Sequence, residues 1–222
     1  SRRSTAIGPN GQRTCTYQTR PLNVEHAGRR RWGMSTDGDT DIDPESYAER
    51  VREERRKKDE FFAEHPRSPI PQSDRAEFSG LNYFDPDTAY RIEAALHEHD
   101  DPERITVETT QDGVREYDNV GEFRTSVDGE DVTIQAYRSP GDEYRLWVPF
   151  RDETNGEWTY PAGRYLDLED PDDRTDDGDW VLDFNEAYNP YCAYSEAYEC
   201  PLVPMDNWLD VEIPAGETLP DE

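Results

Sequence analysis

The sequence predicts a mainly β domain. The expected form is an antiparallel sandwich or small barrel, with an N-terminal helix and an irregular C-terminal segment containing proline, tyrosine and cysteine. Three observations carry this. Period-two apolar runs recur at intervals of roughly ten residues, separated by turn residues and not by helices. One stretch alone carries a full helix-start signal. Between Asp183 and Pro204, five aromatics, two cysteines, three prolines and two asparagines crowd into 22 residues, a composition that suits neither a regular helix nor a plain strand.

Asp43-Pro44-Glu45 reads as a helix start, with an N-cap, proline at the first helical position and acid in the first turn. The helix is expected to run to Glu64 and stop before Pro66, docking mainly by its ends with a charged middle left in water, because Tyr47, Val51, Phe61 and Phe62 form only a thin stripe. Tyr90, Ile92, Ala94 and Leu96 alternate as one strand face. Ile105 to Tyr117 forms a hairpin about Asp112-Gly113, and Phe123 to Tyr137 a second about Asp128-Gly129. Strands are expected at 144–150, 164–168 and 180–184, the last two pairing across the acidic loop 169–179 and so bringing Arg164 near Asp183.

The formal charge is −28, with two lysines against 22 arginines. An acidic, lysine-poor surface suits molar salt, where the Debye length shrinks to about 3 Å and carboxylate self-repulsion is screened. The 25 aromatic residues and clear periodicities oppose the rival reading of disorder. Residues 1–33 hold seven arginines and one acid, whereas from Met34 onward 17 basic residues face 51 acidic ones. The leader 1–33 is expected to lie outside the fold, as upstream sequence before a natural start at Met34, and not to bind nucleic acid. Residues 34–43 read as a flexible acidic segment and 44–219 as a single domain. No apolar run is long enough to span a membrane, and no signal segment opens the chain. The expected setting is therefore cytoplasmic, with Cys192 and Cys200 as reduced thiols.

The chemistry-bearing residues are weighed against packing. As a disulfide, Cys192 and Cys200 would close a loop worth about 2.5 kcal/mol. As metal ligands they lack the usual spacing and a downstream histidine; as a nucleophile, Cys192 lacks a nearby imidazole. His97-x-His99 is a weak zinc pattern. Asp173-x-Thr175-x-Asp177-Gly178 starts like a calcium loop but reaches Phe184 at its twelfth position. No metal site is expected.

Several stretches resemble the prokaryotic family known as domain of unknown function 1684. They are Lys58-Asp-Glu-Phe-Phe, Phe78-Ser-Gly-Leu-Asn-Tyr-Phe, Pro149-Phe-Arg-Asp-Glu-Thr-Asn-Gly, Gly163-Arg-Tyr-Leu-Asp-Leu, the Asp183–Pro204 run and Ile213-Pro-Ala-Gly-Glu. The resemblance spans about residues 47–217 and implies one domain of that family, in a haloarchaeal-type member, without implying a reaction. The chain departs from the pattern at Gly156-Glu-Trp-Thr-Tyr-Pro-Ala-Gly-Arg-Tyr165, where Trp158 stands at an acid's position and Pro161 and Ala162 replace glycines.

Arg164, Tyr165, Asp183, Asn185 and Asn189 are expected to line a shared site, against the plainer reading of a buried ion pair with turn-capping asparagines. Tyr188, Tyr191 and Tyr194 would wall it, with Cys192 and Cys200 beside them. The leading function is a small-ligand-binding β domain. The alternatives are a hydrolase-type enzyme using carboxylates or Cys192, and a structural or partner-binding domain. A small molecule is the expected partner, with neither nucleic acid nor membrane; no cofactor is indicated.

Overall fold

The computed structural model describes residues 42–220, together with the backbone of the short strand β1 (Arg13–Thr14). That strand runs parallel to β9 (Tyr198–Glu199); the rest of the leader and most of segment 34–43 lie outside the described residues.

Helix α1 (Pro44–Glu64) begins as the sequence predicts. Asp43 caps it by accepting from the Ser46 amide at 2.9 Å, and Pro44 occupies the first turn, where no N–H is missed. It buries Tyr47, Ala48, Val51 and Phe62. Its middle is not left in water as expected. Arg55 donates to the carbonyls of Phe84 (2.7 Å) and Asn185 (3.1 Å), and Lys58 pairs with Glu217. The thin apolar stripe is supplemented by long cationic side chains that carry their charge to partners on the body.

The main sheet is a five-stranded antiparallel meander of β3 (Leu96–Glu108), β4 (Val114–Val127), β5 (Glu130–Arg138), β6 (Arg145–Phe150) and β7 (Arg164–Glu169). A second sheet pairs β2 (Arg91–Ala94) with β8 (Trp180–Asp183). Both expected hairpins form, and the arrangement is sandwich-like; among the described residues the sheet does not close into a barrel. Tyr90 lies just before β2 in a 3-10 turn (Thr88–Tyr90) capped by Asp87. β3 extends through the charged stretch 97–103, largely exposed along one edge of the sheet, so no apolar alternation marks it.

β7 and β8 do not pair with each other as expected. The edge of β7 is taken instead by Tyr188, whose N–H and C=O exchange hydrogen bonds with those of Tyr165 at 3.0 and 2.9 Å. β8 finds its ladder with β2, Asp183 opposite Arg91.

The main sheet is buried on both faces. Phe123, Ile134, Leu146, Val148, Phe150, Leu166 and Leu168 pack against β2, β8 and the tail residues Leu209 to Ala215. Tyr117, Tyr137, Trp147, Tyr165 and Tyr188 form an aromatic row on the opposite face. Neighbouring rings there lie 4.3 to 5.8 Å apart, within the range where offset and edge-on aromatic pairs attract. A register shift between Asn119 and Gly121 lets β4 serve both faces: Tyr117 joins the aromatic row while Phe123 points to the main core, although both are odd-numbered. A Cβ on Gly121 would lie 2.6 Å from the His97 carbonyl oxygen, so glycine is required at this close approach.

Candidate functional site

The segment 183–204 forms a hook that leaves β8, crosses the β7 edge and folds back over the aromatic face. Its turns follow from its composition. Asp183 caps a 3-10 turn (Phe184–Glu186) by accepting from the Asn185 amide at 3.2 Å. Pro190, which has no N–H to lose, precedes a second such turn (Tyr191–Ala193). The Pro201 carbonyl accepts from the Tyr165 hydroxyl, and Val203 packs beside Tyr165 and Tyr188. Met205–Asn207 forms a further 3-10 turn. The Asn207 amide group bridges β5 and β6, donating to the Gln135 and Pro149 carbonyls and accepting from the Gln135 N–H.

Three buried polar clusters hold the hook and the tail. Arg164, fully buried, pairs with Asp152 and donates to the carbonyls of Ile213 (2.8 Å), Ala215 and Glu217 (3.4 Å). Its charge lies 5.1 Å from the Phe150 ring. Burial pulls the guanidinium pKa down, and the Asp152 carboxylate opposes that. Asp152 is oriented by the Thr154 amide and hydroxyl.

In the second cluster Asp183 Oδ1 accepts from the Tyr47 hydroxyl (2.7 Å) and from Asn185 Nδ2 (3.1 Å). Asn185 also donates to Tyr47 and to the Asp87 carbonyl, and accepts from the Asp87 amide. Arg50 reaches Asp183 at 3.4 Å and Glu186 at 3.1 Å. Burial, then the neighbouring Glu186, pushes the Asp183 carboxyl up.

The third cluster centres on Glu217, which is fully buried. One oxygen receives Lys58; the other accepts the Asn189 amide and the Tyr194 hydroxyl, both at 2.7 Å. Asn189 Nδ2 donates to Thr218 O (2.7 Å) and Tyr194 (3.2 Å). Lys58 sits between rings, 5.0 Å from Tyr188 and 5.7 Å from Phe62. Phe62 in turn meets Tyr194 at 5.2 Å and Tyr191 at 5.9 Å. Tyr83 pairs backbone with Glu217 and lies under Arg55, 4.4 Å from its guanidinium carbon. The Tyr83 hydroxyl and Arg55 Nε are buried and have no hydrogen-bond partner among the described residues. Burial, with Glu217 and Asp59 nearby, holds the Tyr83 hydroxyl in its neutral form. Gly216 lets the tail run this close to the hook: its φ is +79°, and a Cβ there would lie 2.5 Å from the Ala187 carbonyl oxygen.

The thiols form a separate group. Cys200 is fully buried and Cys192 partly exposed. The Cys192 amide approaches the Cys200 sulfur at 3.4 Å, and the Tyr160 hydroxyl lies 3.8 Å from the Cys192 sulfur. Hydrogen bonds from Cys200, Tyr160 and Thr110 outweigh burial and lower the Cys192 thiol to about 7.

The sequence-predicted residues thus surround one hook but do not line one site. Arg164 and Asp183 have different partners, because β7 and β8 are separated by the Tyr188 crossing. Tyr165 and Tyr188 belong to the aromatic face, where Tyr188 donates to Asp167 at 2.8 Å. Tyr191 and Tyr194 meet the helix, and Asn185 and Asn189 hold turns. Sequence reasoning missed Asp152, Glu217, Lys58, Tyr47 and Tyr83 as partners. Four of these five lie in the segments that carry the family resemblance; Tyr47 reads in the sequence only as an apolar contact. At the sequence's departure, Trp158 and Glu157 are exposed, and Trp158 packs on Phe84. The acidic loop is tied by Asp173, which accepts from the Glu169 amide at 2.8 Å. Among the described residues, no group of three or more His, Cys, Asp or Glu side chains is placed to hold a metal ion.

No curated protein matches the chain. Among solved structures, it is similar to the solution NMR structure of an uncharacterised protein of Haloarcula marismortui. The identity is 45%, the match covers 78% of this chain and 95% of that one, and the TM-score is 0.61. A haloarchaeal neighbour of this identity supports the halophilic reading of the acidic, lysine-poor composition. Among the described residues, no helix is long and apolar enough to cross a membrane. The model of the family described as protein of unknown function (DUF1684) matches residues 76–218, and the chain belongs to that family.

Proposed function

We propose that this domain is a cytoplasmic small-ligand-binding module, with its ligand at the seam between α1, the 80–84 segment and the hook. The observation that carries this reading is the pair of buried donors, the Tyr83 hydroxyl and Arg55 Nε, to which no described residue offers an acceptor. A buried polar group left unpaired costs roughly 1–3 kcal/mol, so each such group in a native protein calls for an explanation, and a bound ligand supplies one here. With Lys58 partly exposed beside them, the seam favours a small molecule rich in acceptors, such as a carboxylic acid.

The hydrolase alternative has weaker support. The carboxylates of Glu217 and Asp183 are saturated by donors, and the Cys192 sulfur is surrounded by Cys200, Tyr160 and Thr110 in place of a general base.

The test is a thermal-shift panel of small carboxylic acids in molar KCl. A ligand that binds only the native state raises the melting temperature with concentration. At least one acid should do so for the wild type and fail to do so for Tyr83→Phe. A panel without effect, or an equal shift in the variant, would count against the proposal.

A further inference from the structure

The geometry points to a second chemistry, independent of the ligand seam. We infer that Cys192 and Cys200 form a redox-active thiol pair that reduces a hydroperoxide, with Cys192 as the attacking thiol and Cys200 as the resolving one.

The division of roles follows from placement. Cys192 is partly exposed, in the middle of the hook's second 3-10 turn, and is the one of the two thiols on the solvent side. Cys200 is fully buried, yet its sulfur lies 3.4 Å from the Cys192 amide nitrogen and within hydrogen-bond reach of the Cys192 thiol. The buried thiol is shielded from direct attack by solutes but held next to the sulfur that reacts first. The Tyr160 hydroxyl, 3.8 Å from the Cys192 sulfur, is a donor that favours the thiolate, the nucleophilic form. The thiol lowered to about 7 agrees with this arrangement.

In the first step the Cys192 thiolate attacks the distal oxygen of the hydroperoxide. The O–O bond breaks, the alkoxide or hydroxide leaves and takes up a proton, and Cys192 becomes a sulfenic acid. In the second step the Cys200 sulfur attacks the sulfenic sulfur. An S–S bond forms, the S–OH bond breaks, and water leaves with the Cys200 proton. Two thiols lose two electrons in total, and the peroxide gains them.

The test uses the full chain in molar KCl with Cys15→Ser, which removes the third cysteine. One equivalent of hydrogen peroxide should give a product about 2 Da lighter, mapping to a Cys192–Cys200 cross-linked peptide. With Cys200→Ser, a sulfenic acid should accumulate at Cys192 and be trapped by dimedone. Cys192→Ser should react at least tenfold more slowly. Tyr160→Phe, which keeps the ring, should slow the wild-type reaction severalfold and needs no change at a buried thiol. Oxidation of Cys200 first, over-oxidation of Cys192 without a disulfide, or the same rate in denaturant as in the folded protein would overturn the inference.

Discussion

Arg164 and Asp152 form a buried ion pair at the point where the C-terminal tail meets the main sheet, and the same guanidinium gathers three tail carbonyls. One side chain therefore ties β7, the loop after β6 and residues 213–217 together. Removing one partner from such a pair leaves an uncompensated buried charge, which costs about 3–5 kcal/mol. Asp152→Ala should destabilise the domain by that amount in denaturant titrations at molar KCl. Arg164→Lys should also be costly, since an ammonium cannot reproduce the guanidinium fork. A loss below about 1 kcal/mol for both would contradict the assignment.

Two tyrosines near α1 should respond in opposite ways to loss of the hydroxyl. Tyr47 serves Asp183 and Asn185, so Tyr47→Phe removes one hydrogen bond from each of two buried groups and should cost about 1–3 kcal/mol. The Tyr83 hydroxyl has no partner among the described residues, so Tyr83→Phe should be neutral or stabilising by up to about 1 kcal/mol. Paired unfolding curves decide the matter, and equal losses would refute it.

Asp183 makes stability depend on pH. Its carboxyl is raised in the folded state by burial and by Glu186, so the native protein holds that proton more tightly than the unfolded chain does. The group's contribution is full below the ordinary aspartate range and is lost as pH rises through the raised value. Asp183→Asn should flatten the stability profile above pH ~4 relative to wild type. Identical slopes for the two proteins would rule the effect out.

Salt should matter throughout. With 51 acids and 17 basic residues from Met34 onward, carboxylate repulsion reaches about 10 Å at 0.1 M salt but only about 3 Å at 1 M. The melting temperature should therefore rise steeply with KCl over that range. An unchanged transition would remove the basis for the halophilic reading.

What the sequence made legible was local. The Asp43-Pro44 start, the Asp128-Gly129 turn and the strand expected at 144–150 each arise from neighbouring residues, and each stands in the structure. The pairing of β8 with β2 was not legible, because residues adjacent in sequence are the default partners and nothing local shows that Tyr188 would occupy the β7 edge. The candidate residues were legible as chemistry but not as partners. Arg164 was recognisable as a buried cation, but its carboxylate, Asp152, lies across a loop. Glu217 reads as one more acid in an acidic chain until the tail is seen to pass beneath Lys58 and Tyr194.

The hook is an integral, locked part of the domain, and hydrogen exchange at two amides measures that locking. Tyr188 N–H donates to Tyr165 and Asn189 N–H to buried Glu217. In molar KCl both should exchange only through global unfolding, as slowly as the amides of Leu146 and Val148 in the core. Exchange at the rate of an open loop, with the core amides still protected, would mean that the hook is not locked to the sheet.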